Sequence, residues 1–194
     1  MEISEKLAAL SGKIKSQAHM IQTEEATKAA FVMPFISSIL GYDVFDPEEV
    51  TPEYICDIGT KKGEKIDYAI KKDGNIQILI ECKKIGESLS INHAMQLFRY
   101  FHVTSARVAI LTNGQCYKFC TDLDTPNKMD EKPFLELDML DVDEYAIPEI
   151  IKLNKKTFDV ESIVNAAGEL KYVSQIKKVI GLVLNEGDDD FTKY

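Results

Sequence analysis

Apolar and polar positions alternate most clearly between residues 65 and 84, in KIDYAIKKDGNIQILIECKK. Two β-branched apolar runs flank a Lys-Lys-Asp-Gly-Asn cluster, the pattern of two antiparallel strands joined by a tight turn. Successive side chains of a strand point to opposite faces. Ile76, Ile78 and Ile80 are therefore expected on one face, and Gln77, Leu79, Glu81 and Lys83 on the other. With the loop centred on Gly74, Asp67 lies directly opposite Glu81, and opposed pairs hold their Cβ atoms roughly 4.5–5.5 Å apart. Two carboxylates that close can share one cation, with the Lys83 ammonium one pleat further along. Acidic residues are poor strand formers and usually lie on a solvated face. Here the charged face begins with Leu79, as expected for a strand covered on both sides that emerges into a cleft at its C-terminal end. The hairpin reads as a metal site.

Helical periodicity brackets this hairpin. Residues 2–14 form a short amphipathic pattern. A longer one spans 23–40, with Thr23 as N-cap and Glu24 and Glu25 in the first turn, where carboxylates suit the helix dipole. Val32, Phe35, Ile36 and Ile39 make its apolar stripe, Pro34 is expected to kink it and Gly41 to end it. Taken alone, the two glutamates need no role beyond the dipole. Short extended pieces are expected at 42–45 and 53–58, separated by the breakers Pro47 and Pro52. The loop at 59–65 has some residues of a phosphate-binding loop, but its spacing is one residue short and no Ser or Thr follows the lysine.

Past the hairpin, a helix is expected over 90–103, with Gln96 and Tyr100 sharing one face and Leu97 and Phe101 forming an adjacent apolar pair. On their own, Gln96 and Tyr100 read as surface polarity and a half-buried aromatic. A buried strand at 107–111 follows, then an Asn113-Gly114 turn into a strand at 116–121. Cys116 and Cys120 would stand roughly 13 Å apart on that strand, too far to hold one zinc. His19, His93 and His102 have no metal spacing, and no serine sits in a nucleophile elbow. A short strand is expected at 134–137, a helix at 145–152, and a last helix at 160–184 broken at Gly168. The tail, 185–194, is expected to be mobile.

Totals add bounds. The chain has 194 residues, 45% of them hydrophobic and 28% charged, which suits one soluble domain with a small appendage. No apolar run approaches the roughly 18 residues of a membrane span, the N-terminus is not a signal sequence, and four unpaired-looking cysteines suggest a reduced, cytoplasmic setting. A net charge of −9 argues against nucleic acid, yet residues 61–107 hold nine Lys or Arg against five Asp or Glu. A locally basic surface on an acidic protein can still hold phosphates.

The stretches TEEATKAAFVMPFISSILGY, GEKIDYAI, ILIECKK and QLFRY together resemble the PD-(D/E)XK nuclease superfamily. Within it they resemble specifically the nuclease domain at the N-terminus of type I restriction enzyme R subunits and their stand-alone relatives. It extends from Thr23 to Leu137. The resemblance implies a restriction-endonuclease-like α/β core, with a central mixed sheet of four to six strands flanked by helices, over residues 23–140. An N-terminal helix (1–22) and a C-terminal helical appendage (141–194) would flank it. It implies Mg²⁺, with Mn²⁺ as substitute, held by Asp67, Glu81 and the main-chain carbonyl of Cys82, since hard cations prefer oxygen. Lys83 would orient or help deprotonate the attacking water, and Gln96 and Tyr100 would fix the phosphate or the lysine. A helical carboxylate would complete the site, and the T-E-x-x-T-K register favours Glu24 over Glu25.

The expected activity is metal-dependent DNA cleavage, as an endonuclease in restriction or phage defence. A non-catalytic DNA-binding or assembly module is the alternative, and a hydrolase of small phosphate substrates is weaker because nothing suggests a nucleobase pocket. The chain contains no Walker motif, unlike the R subunits, so cleavage is expected to be uncoupled from translocation. A specificity or motor subunit is the expected protein partner. The C-terminal segment lacks an evident closing element, the pattern of a fragment or of a chain that borrows target recognition.

Overall fold

A computed structural model describes residues 2–55 and 63–185. Among the described residues the strands form one six-stranded sheet in sequence order: β1 (Val50–Ile55), β2 (Lys65–Lys72), β3 (Asn75–Cys82), β4 (Val108–Thr112), β5 (Cys116–Cys120) and β6 (Leu135–Asp138). Neighbours are antiparallel except β3 and β4, which run parallel. A parallel step needs a crossover, and helix α3 (Met95–Val103), entered through a 3₁₀ turn at Ile91–Ala94, supplies it. The result is the expected α/β architecture, a mixed sheet flanked by helices with a helix at the C-terminal end.

The sheet separates two apolar clusters. On one face, Tyr68, Ile70, Ile78, Ile80 and Val108 pack with α1 (Ile3–Gln17), α4 (Ile147–Lys152) and the Phe31-Val32-Phe35-Ile36-Ile39 stripe of α2 (24–40). On the other, Ala69, Ile76, Leu79 and Ala109 meet Leu97, Tyr100 and Phe101 of α3. Helix α2 begins as an α-helix over Glu24–Thr27 and continues with wider π-type turns at Lys28–Val32 and Phe35–Leu40. Its N-cap is Thr23, whose hydroxyl accepts the Ala26 amide hydrogen at 3.1 Å. Pro34 lies between the two wide stretches. Proline lacks an N–H and its ring crowds the carbonyl four residues earlier, and wider turns accommodate both.

Several elements differ from expectation. Residues 42–45 form no strand, 44–45 being a turn, and β1 instead includes Pro52, as an edge strand can because an outward N–H needs no partner. Helix α5 (Val160–Asn185) runs through Gly168 without a break, since one helical glycine costs only about 1 kcal/mol. The C-terminal half of the expected 53–58 strand, most of the 59–65 loop and the tail lie outside the described residues. No helix among the described residues is long and apolar enough to cross a membrane.

The hairpin also holds a surprise. Asp73 and Gly74 both have positive φ (52° and 76°), a two-residue turn that pairs Lys72 with Asn75 and Lys71 with Ile76. Continued unchanged, that register would set Asp67 against Ile80, and a one-residue slip moves side chains to the other face. A β-bulge intervenes: pairing resumes as Ile70 with Ile78 and Tyr68 with Ile80, leaving Gln77 as the extra residue. The bulge corrects one expectation, because Ile76 faces the α3 side while Ile78 and Ile80 face the other. The shifted ladder ends at Tyr68 with Ile80, so Asp67 and Glu81 are the next residues in that register.

Candidate active site

The acidic and basic side chains gather at the C-terminal ends of β3 and β4, the open end of a parallel strand pair, where α/β sheets generally bind ligands. Helix α2 crosses this end. It is held there by Thr27, a fully buried residue whose hydroxyl donates to the Thr23 carbonyl and accepts the Ile85 amide hydrogen, both at 3.0 Å. The β4–β5 turn supports it from below. Gly114 has φ +80°, and a Cβ there would lie 2.9 Å from Thr27 Cγ2 and 3.0 Å from Phe31 Cβ. Only glycine lets the turn approach this closely.

Two ion-paired arms result. In one, Lys83 Nζ lies 2.8 Å from Glu81 Oε1 and 3.6 Å from Glu24 Oε2. In the other, Lys28 Nζ lies 2.7 Å from Asp67 Oδ1 and 2.5 Å from Glu25 Oε1. The second oxygen of Asp67 accepts the Cys82 amide hydrogen at 2.7 Å, tying β2 to β3 where their ladder ends. Strand alternation breaks at Asp67: Ile66 packs on the α3 side, Tyr68 on the opposite one. The facing residue of β1, Glu53, has φ +47°. Lys83 is fixed by its own amide, which donates to the Thr112 carbonyl at 2.7 Å.

Electrostatics distinguish the members. Glu81 is 5% exposed. Burial and the neighbouring Asp67 charge push its pKa up to about 7, against the pull of Lys83. Its Oε2 is buried with no hydrogen-bond partner among the described residues, an unusual state for a carboxylate oxygen. Burial works against the Lys83 ammonium, but the bond to Glu81 and the fields of Glu81, Glu24 and Asp67 hold its pKa above the ordinary lysine value. Lys28 behaves alike, with Asp67 and Glu25 outweighing its burial. The Cys82 thiol is pushed up by burial and by Asp67, and stays a thiol.

The remaining expected residues stand beside the cluster. Gln96 Nε2 donates to the Lys65 carbonyl and the Tyr100 hydroxyl to the Glu64 carbonyl. Both therefore grip the start of β2, two and three residues ahead of Asp67. Arg99, between them on α3, makes a two-pronged pair with Glu64 at 2.9 and 3.0 Å. Cys116 is half-buried and Cys120 buried, both free thiols. Among the described residues no three His, Cys, Asp or Glu side chains converge as a ready metal cage.

Sequence reading missed Lys28. A signal was present, since Lys28, Val32, Phe35, Ile36 and Ile39 fall on one helical stripe. A lysine on the buried stripe needs a partner inside the protein.

Fold and site together define a class: an α/β domain that collects carboxylates and ammonium groups beneath a helix N-terminus at one end of a mixed sheet. The chain belongs to a known family within it. The family model described as type I restriction enzyme R protein N terminus matches residues 23–135, from the N-cap of α2 to the first residue of β6 and more than half of the chain. No curated protein and no solved structure matches the chain.

Proposed function

We propose that this protein hydrolyses DNA phosphodiesters with a bound Mg²⁺, as an endonuclease of the PD-(D/E)XK type in a restriction or phage-defence system. The observation that carries the reading is the partnerless buried Oε2 of Glu81 beside the Asp67 carboxylate. A buried, unsatisfied oxygen acceptor within the field of a second carboxylate suits a hard divalent ion. The lack of a three-carboxylate cage is no obstacle, because Mg²⁺ commonly keeps several waters and takes only one or two carboxylates. Asp67, Glu81 and the Cys82 carbonyl would hold the ion. When bound, it polarises the scissile phosphate and lowers the pKa of a water.

The chain's own groups would do the rest. Lys83, paired with Glu81, would orient or help deprotonate the attacking water and steady charge on the phosphate. Glu24 holds that ammonium from the helix side. Gln96 and Tyr100 fix the β2 backbone that carries Asp67. Membership of the restriction R-protein family supports DNA as the substrate and a specificity or motor subunit as the partner.

A second reading has its own support. Each carboxylate is already paired with a lysine, which suits a DNA-binding or assembly module without turnover. One experiment separates the two. Circular and linear DNA are incubated with the protein in Mg²⁺ or Mn²⁺, with EDTA and Lys83→Ala as controls. Cleavage of both forms that EDTA and the substitution each suppress at least about a hundredfold supports the nuclease. DNA retained in gel shifts without any cleavage supports the module.

A further inference from the structure

From the pairing of Lys28 with Asp67, we infer that Lys28 is the resident counter-ion of the site: it balances Asp67 when no divalent ion is bound and yields Asp67 when one arrives. The inference deepens the nuclease reading and, in its second half, rests on it.

Position sets Lys28 apart from an ordinary helical lysine. It is 7% exposed and opens the π-type stretch of α2, and its N–H is shared between the Glu24 and Glu25 carbonyls. Its two carboxylate contacts are unequal. Glu25 is 77% exposed at its side chain, so that pair is screened by water and salt. Asp67 is 12% exposed at its side chain, so that pair is desolvated on both sides and removal of one partner strands the other. Asp67 has few other sources of compensation: its Oδ2 takes one backbone amide hydrogen, and its Oδ1 takes Lys28.

A cation arriving between Asp67 and Glu81 therefore meets an oxygen that Lys28 occupies. An ammonium and a divalent ion within hydrogen-bonding distance of one oxygen repel strongly at low dielectric. Lys28 has an alternative partner within reach, since Glu25 Oε1 lies 2.5 Å from its Nζ and faces solvent. Release toward Glu25 needs no new contact. The ammonium can exchange a shared bond for an unshared one while Asp67 turns to the ion. Lys28 is thus a positioning residue, acting through Asp67.

The test is a double-mutant cycle on the full chain, read by thermal unfolding and by Mn²⁺ titration calorimetry. In EDTA, Lys28→Gln is expected to lower Tm by about 5–15 °C. Adding Asp67→Asn to it is expected to recover at least half of that loss, because the stranded charge is gone. Lys28→Gln is also expected to bind Mn²⁺ at least about threefold more tightly than the parent. A Lys28→Gln protein as stable as its parent in EDTA overturns the inference. So does a loss that Asp67→Asn does not recover, including failure of both variants to fold, since Lys28 would then serve packing alone. Mn²⁺ binding that is unchanged or weaker in Lys28→Gln overturns the release of Asp67. If Mn²⁺ binds neither protein, the nuclease reading and the release fail together, while the EDTA arm still decides the counter-ion role.

Discussion

Thr27 accepts the Ile85 amide hydrogen at 3.0 Å, and this bond joins the helix bearing Glu24, Glu25 and Lys28 to the chain just beyond the strand bearing Glu81 and Lys83. The two parts of the site meet through a residue that carries no charge. Replacing Thr27 by Val keeps the shape and leaves a buried amide without its acceptor. The expected cost is about 1–3 kcal/mol in chemical denaturation, with a larger fall in any DNA cleavage than stability explains, because the helix loses its register over the strand. An unchanged denaturation midpoint would refute the tie.

Glu81 gives the protein a pH dependence of defined sign. Its folded pKa, about 7, stands above the ordinary 4.5. The folded state therefore binds this proton more tightly than the unfolded chain does. The associated stability is fully present below pH 4.5 and is lost as pH rises through about 7, a change of about 3 kcal/mol at 1.36 kcal/mol per pH unit. Glu81→Gln cannot ionise. In EDTA it is expected to exceed the parent in stability by about 1–3 kcal/mol at pH 8 and to lose that advantage by pH 5. Denaturation curves at several pH values check this, and a gap that does not vary with pH would contradict it.

Gln96 holds the first carbonyl of β2 and Tyr100 the carbonyl just before it. Gln96→Ala and Tyr100→Phe are each expected to cost about 0.5–1.5 kcal/mol of stability. They should lower cleavage by less than Asp67→Asn does. Cleavage rates as low as those of Asp67→Asn, with stability intact, would assign them direct contact with the reacting groups instead.

Deleting Gln77 is expected to be tolerated. Removal of the extra residue leaves Lys71 paired with Ile76 and Ile70 with Ile78 in an unbroken ladder, so Asp67 still opposes Glu81. The Arg107 amide, which donates to the Gln77 carbonyl at 3.0 Å, must find a new acceptor. The expected loss is about 1 kcal/mol, with cleavage retained. Inserting a residue beside Gln77 has no such compensation and should abolish it.

The contrast between Gln77 and Asp67 shows how much of the site was legible in the chain. A loop centred on Gly74 gives the register that the ladder reaches at Tyr68 and Ile80, but for an incomplete reason, since the turn is the two-residue Asp73-Gly74 and the bulge supplies the missing step. Turn chemistry is local and could be read. The bulge is set by cross-strand packing, which placed Ile76 with α3 and Ile78 with α2. Glu24 and Glu25 could be placed in the first helical turn from the N-cap, but not assigned to separate lysines.

The sequence by itself determined the hairpin, the helix whose first turn bears Glu24 and Glu25, most of the order of elements and the nearness of Glu81 to Lys83, because all of these depend on residues close along the chain. Only the tertiary structure decided that Lys28 joins Asp67 across 39 positions, that Gln96 and Tyr100 grip β2, and that Glu81 is dry enough to hold its proton near neutrality. Those outcomes follow from which surfaces exclude water when helix and sheet close together. Periodicity records which face is buried, but not which charged group it will meet there.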